Sequence, residues 1–129
     1  MKKLSELLAV ILIILSTIGV IFGIHAIEKY RRSKLYTVEL IARAPEHGNW
    51  YPRQFKVPFG REVKIYIRNI ETVSHGFALP DFNIAVREIK AGEVVVVNFI
   101  PDKRGTFPFM CTVWCSENHL HMTGEIVVE

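Results

Sequence analysis

The sequence predicts an all-β domain, a Greek-key β-sandwich or barrel, preceded by one N-terminal transmembrane helix. Three observations carry this. An uncharged apolar run near the N-terminus gives way to period-two alternation from Tyr36 onward; turn residues recur between the alternating segments; and no helical periodicity returns before Glu129. At 129 residues the chain can build one modest core and not two.

From Leu7 to Ile24, "LLAVILIILSTIGVIFGI", no charged residue interrupts the run, which is close to the roughly 20 residues a spanning helix needs. A cleaved signal peptide also begins with "MKK" and an apolar stretch. This run exceeds the usual apolar core of such a peptide, and residues 23–26 offer no small-x-small cleavage site, so an uncleaved anchor over residues 1–34 is expected. Gly19 and Gly23, one turn beyond Ser16, form a GxxxG pair. Either it meets another helix closely or it reflects how common glycine is in membrane helices. His25 is expected at the membrane interface, without a chemical role.

A net charge of +3 suggests nucleic acid until the charges are located. Lys29, Arg31, Arg32 and Lys34 form a basic collar after the apolar run, while from Leu35 onward ten Lys or Arg stand against eleven Asp or Glu. Such a collar suits membrane lipid headgroups or a partner subunit, and the near-neutral remainder has no phosphate-binding face, so no nucleic acid is expected. Lys2 and Lys3 precede the run and the collar follows it, so flanking charge does not choose a topology.

The strands then follow in order. "YTVELIARA" alternates; Gln54–Val57 is a short strand; "REVKIYIRN" places Val63, Ile65 and Ile67 on one face and Lys64, Tyr66 and Arg68 on the other. Phe77–Leu79 and Ile84–Ile89 follow, "EVVVVNF" is a β-branched run suited to a buried strand, and Thr106–Met110 and Glu125–Val128 complete the set. Pro52, Pro58, Gly60, Pro80, Gly92, Pro101, Asp102 and Gly105 punctuate them as turns do. About eight short strands without helices argue for a sandwich or barrel.

Between the last two strands lies "CTVWCSENHLHM", which holds both cysteines of the chain. Cys111, Cys115, His119 and Met122 follow one another at intervals of four, four and three. Thiolate, imidazole and thioether are soft or borderline donors that suit copper better than calcium or magnesium. Zinc accepts Cys and His, but a methionine in step with them adds nothing for zinc. A plain disulfide would leave the His and Met without a role. A mononuclear blue copper site needs one Cys, so the second is surplus for one ion, whereas two bridging thiolates suit a pair. His75, in "NIETVSHGFALP", follows a strand whose loop a Greek key brings beside the cysteine loop, and is expected as a further ligand. His47 in "APEHGNW" is expected to be simply exposed, and His121 to lie beside the site or on the surface.

"SHGF" followed by "CTVWCSENHLHM" resembles the binuclear CuA centre of cupredoxin domains, as in subunit II of heme-copper oxidases and the C-terminal domain of nitrous oxide reductases. The similarity runs over roughly residues 36–129, and the Cys-x3-Cys-x3-His-x2-Met spacing is its most specific part. The resemblance implies a cupredoxin-like fold over 35–129 and a cofactor of two copper ions bridged by Cys111 and Cys115. It further implies His75 and Met122 as the remaining ligands of one copper, and His119 with the backbone carbonyl of Val113 as those of the other. Apolar residues such as Phe77, Phe109 and Trp114 would surround the site, with Trp114 more simply read as ordinary core.

The same resemblance implies electron transfer without catalysis by this chain itself. Electrons would arrive from cytochrome c or a similar donor through an exposed aromatic patch, for which Trp50 and Tyr51 are the nearest candidates, with packed core as the other reading of Trp50. They would leave by way of His119 toward heme in subunit I of an oxidase. One apolar run in place of two is similar to the short subunit II of B-type oxidases, with the β domain on the extracytoplasmic side of the cell membrane. Val113 stands where the common oxidases carry a glutamate that helps bind magnesium, so no magnesium ligand is expected there. The alternative is a free-standing membrane-anchored carrier linked to nitrous oxide reduction. A full reductase is not expected, because five histidines and 129 residues leave no room for its propeller domain and catalytic cluster. A copper chaperone is a third reading, disfavoured because this chain lacks the βαβ pattern of thioredoxin-like folds.

Overall fold

The computed structural model describes residues 2–129, with the side chains of 3–30 and 35–129. Arg31, Arg32 and Lys34 of the basic collar therefore lie outside the described side chains. The chain divides after Lys34 into a helical unit and a β unit, Leu35–Glu129. Helix α1 (Lys2–Lys34) contains one stretch, Lys3–Tyr30, long and apolar enough to cross a membrane. Two hydroxyls in its apolar middle are satisfied within the helix: Ser16 Oγ donates to the Ile13 carbonyl at 2.8 Å and Thr17 Oγ1 to that of Ile14 at 2.9 Å. That is what an apolar surrounding requires of a polar group.

The β unit has eight strands: β1 (Tyr36–Ala42), β2 (Gln54–Val57), β3 (Val63–Asn69), β4 (His75–Leu79), β5 (Ile84–Ile89), β6 (Val94–Phe99), β7 (Gly105–Met110) and β8 (Thr123–Val128). One sheet runs β1-β3-β6 and the other β2-β8-β7-β4-β5. β1 is parallel to β3 and β2 to β8, while the remaining pairs are antiparallel. Two sheets closing on one core is the arrangement that alternating strands favour, since each has a single apolar face to bury. On β3 the alternation is clean, with Val63, Ile65 and Ile67 fully buried. From the other sheet Phe77, Leu79, Ile89, Phe109 and Ile126 meet them, together with Leu40 of β1.

β6 departs from expectation. The run "VVVV" was expected in a buried strand, yet Val94 and Val96 are 39% and 44% exposed and only Val97 is buried. The reason is position: the sheet is covered on one face, so Val95 and Val97 pair with Ile67 and Ile65 toward the core while Val94 and Val96 pair with Arg68 and Tyr66 on the outer face. β-branched residues favour strands through backbone fit as well as burial, so composition did not distinguish one covered face from two.

Strand direction places the site. β1, β3 and β7 run out at Ala42, Asn69 and Met110, while β4 and β8 begin at His75 and Thr123, so the segments 43–53, 70–74 and 111–122 gather at one end. The start of β1 lies at the other end, where Tyr36 N–H donates to the Glu62 carbonyl at 2.8 Å.

Candidate metal centre

The cysteine loop is closed at its base by one ladder bond, Cys111 N–H to the Met122 carbonyl at 3.0 Å. Inside it, His119 N–H donates to Ser116 O at 3.1 Å and Met122 N–H to His119 O at 3.0 Å. These tight turns bring the spaced donors back over one another. Gly76 allows the loop to approach β4: a Cβ there would overlap Thr112 Oγ1 and stand 3.1 Å from Val113 Cγ2. The Gly76 N–H, left bare, points at Cys111 Sγ at 3.4 Å.

The donors converge. Cys111 Sγ lies 3.9 Å from His75 Nδ1 and 3.2 Å from the Val113 carbonyl oxygen, and Cys115 Sγ lies 3.6 Å from both His119 Nδ1 and Met122 Sδ. The donor atoms of His75, Cys111 and Cys115 all fall within 4.8 Å of one another. Neither cysteine is in a disulfide. His75 and Met122 are fully buried and Cys111 is 6% exposed, while Cys115, Val113 and His119 are partly buried. All six residues expected as ligands therefore stand together at the end of the sandwich.

Charge is arranged unevenly between the sulfurs. Burial opposes ionisation of Cys111, but its contact with His75 and the Gly76 N–H outweigh this and hold its pKa below the ordinary thiol value. Burial and then the neighbouring Cys111 charge push Cys115 up to about 12. His75 is buried against charge as well, yet Cys111 and Glu71 raise its pKa. A site in which a second thiolate is suppressed by the first is one that a cation would relieve.

Glu71 lies behind His75. Its Oε2 accepts from His75 Nε2 at 2.9 Å and from Ala44 N–H at 2.7 Å, and its Oε1 accepts from His47 Nδ1. Burial would raise its pKa, but the hydrogen bonds from His47, Ala44 N–H and His75 prevail and lower it. An ionised carboxylate only accepts, so the His75 proton sits on Nε2 and leaves Nδ1 to face the sulfur cluster. Asn69, also fully buried, holds this corner: its Nδ2 donates to the carbonyls of Val73 and Ile89, and its Oδ1 accepts from Glu71 N–H.

Sequence reasoning missed Glu71 and Asn69, whose signal was the "NIE" turn closing a strand four residues before His75. Two aromatic expectations need correction. Trp50 is not on an exposed patch: it is 1% exposed, packs edge-on against Phe77 and Phe109, and donates from Nε1 to the Met122 carbonyl at 3.2 Å. Tyr51 beside it is 62% exposed. Trp114, expected in the core, is 71% exposed with its ring 5.8 Å from that of His119, because the loop turns it outward between the two cysteines. His47 is exposed as expected but is tied to Glu71, and His121, also exposed, uses its carbonyl to accept from Asn49 Nδ2 at 2.8 Å.

The chemistry of this set fits copper. Two sulfurs, two imidazole Nδ1 atoms, a buried thioether and a carbonyl are donors that hard cations would not select. Comparison with known proteins agrees with the fold. Over 102 residues the chain is 36% identical to nitrous-oxide reductase of Ralstonia nicotianae, covering 77% of this chain and 15% of that protein. Over 103 residues it is 34% identical to the enzyme of Cupriavidus necator, again covering 15% of it. The chain thus spans about a seventh of the length of these relatives. Among solved structures, the periplasmic domain of cytochrome oxidase subunit II of Bradyrhizobium japonicum superposes with a TM-score of 0.62 at 20% identity, covering 73% of this chain and 83% of that one. A heme-copper terminal oxidase dimer gives 0.61 at 27% identity, covering 70% and 63%. With residues 13–128 matching the family described as cupredoxin-like domain, and with the His and Cys cluster at the pole of its sandwich, the chain belongs to the cupredoxin-like family.

Proposed function

We propose that this chain is a membrane-anchored electron-transfer protein with a binuclear copper centre, serving as subunit II of a heme-copper terminal oxidase. The observation that carries the reading is the pair of sulfurs in one cluster with His75, each with its own imidazole, at 3.9 and 3.6 Å. A mononuclear site would leave one of these sulfurs idle. Cys111 and Cys115 would hold both coppers, with His75 and Met122 serving one and His119 and the Val113 carbonyl the other. When bound, such a pair supplies one-electron transfer with the electron shared by both metals.

The protein's own residues keep the geometry fixed across the redox change. Glu71 orients His75, the Trp50 indole holds the Met122 carbonyl, and Phe77 and Phe109 exclude water behind the site. Electrons from a cytochrome c or similar donor arrive at exposed Tyr51, adjoining Trp50, whose indole is one hydrogen bond from Met122. They leave by His119, beside which Trp114 and Leu120 are exposed apolar surface for the heme-bearing subunit I. Helix α1 is a single-pass anchor in the cell membrane, with the β unit outside the cytoplasm.

The resemblance to nitrous-oxide reductases, at up to 36% identity, supports a second reading: an independent anchored carrier that delivers electrons to nitrous oxide reduction. Recovery from gently solubilised native membranes distinguishes the two. Heme in constant ratio to copper is expected of the oxidase subunit, whereas copper without heme would contradict that role and favour the carrier.

A further inference from the structure

We propose that His47, on the surface turn Pro45–His47, is a positioning residue for the metal centre that clamps Glu71 and thereby fixes the ring and tautomer of buried His75. A continuous line of polar contacts joins solvent to the site: the side chains of His47, Glu71 and His75 are 70%, 11% and 0% exposed in turn. The inference rests on His75 being a copper ligand, as proposed above.

The two ends of the clamp come from one turn. Ala44 N–H holds Glu71 Oε2 at 2.7 Å, and His47 Nδ1 holds Oε1. The turn itself has little freedom, since His47 N–H donates to Ala44 O at 2.9 Å and Asn49 N–H to the same carbonyl at 3.0 Å. Asn49 and Glu46 also tie it to the cysteine loop, through the His121 carbonyl at 2.8 Å and Asn118 Nδ2 at 2.7 Å. The terminal torsion of a glutamate is broad, so a carboxylate held at one oxygen can rotate. Held at both, it keeps Oε2 on His75 Nε2. Without His47 the second oxygen would turn to water, and the Nε2 proton of His75 would lose its fixed acceptor.

The test uses the full chain in detergent micelles, metal-free and labelled with 15N-histidine. It follows the His75 Nε2 proton by NMR in the parent, His47→Ala, His47→Asn and His47→Gln. Asn places a donor near the position of Nδ1, whereas Gln places one near Nε2. In His47→Ala the exchange of the Nε2 proton with water should accelerate about tenfold, the worth of one hydrogen bond to a charged group. His47→Asn should restore the parent rate and His47→Gln should not. An unchanged rate in His47→Ala, or an acceleration that Asn fails to reverse, would overturn the proposal. Because the readout is metal-free, a parent chain that bound fewer than two coppers would count against the copper reading and leave the clamp standing.

Discussion

Metal loading should expel a proton from Cys115, and the structure sets the size of the effect. With the sulfurs within 4.8 Å of each other, two thiolates would repel by at least about 3 kcal/mol at an effective dielectric of about 20. That is worth somewhat more than two pH units and acts beside burial, the larger cause, in a Cys115 thiol pushed up to about 12 while Cys111 is lowered. At pH 8 the metal-free site therefore keeps Cys115 as a thiol. Bridging ligation needs both sulfurs deprotonated, so binding releases the Cys115 proton and higher pH favours binding. The perturbation is Cys115→Ser, which removes that proton from the balance and the repulsion with it. Competition for Cu(I) against a chromophoric chelator between pH 6 and 9 should show apparent affinity rising at least about tenfold per pH unit in the parent. The slope should be shallower by about one proton in the variant. Equal slopes would refute the reasoning, because the suppressed thiol would then play no part in uptake.

Three further outcomes follow from the same geometry. Met122→Leu conserves volume at a fully buried position, so it should cost less than about 1.5 kcal/mol in a denaturant titration, keep both coppers and shift the reduction potential. Loss of all copper would show Met122 to be more than an axial donor. Gly76→Ala forces a methyl against Thr112 and Val113, and should cost about 1–3 kcal/mol with weakened metal retention measured by chelator challenge. Glu71 has a pKa lowered on folding, so its contribution to stability is present above its ordinary value of 4.5 and is lost as pH falls through the lower folded value. Glu71→Gln should flatten that part of the acid limb in stability-versus-pH curves of the metal-free protein, and an unaltered limb would contradict the assignment.

The strands were legible because each alternates and is bounded by turn residues. All eight occur within a few residues of expectation, with β4 and β8 beginning earlier, at His75 and Thr123, than hydrophobicity suggested. Those extensions matter, since they carry the backbone into the site. Cys111, Cys115, His119 and Met122 were legible as candidate donors from residue type and spacing, because soft ligands at short intervals have few other uses, and His75 from its place after a strand; the Val113 carbonyl came only with the family resemblance, since a backbone oxygen leaves no mark in residue type. Exposure of the loop tryptophans was not legible. Trp50 is buried and Trp114 exposed because burial of an aromatic there depends on which way a loop turns, and no periodicity governs loops. Nor was the support behind His75 legible: Glu71 and His47 are 24 residues apart in the chain and meet only because β1 and β3 end side by side.

The central claim is a shared pair of coppers. The most direct measurement is copper content per chain together with the electron paramagnetic resonance spectrum of the oxidised protein. Two coppers per chain, with one unpaired electron coupled equally to two copper nuclei, is the predicted result. One copper per chain, or hyperfine structure from a single nucleus, would contradict it.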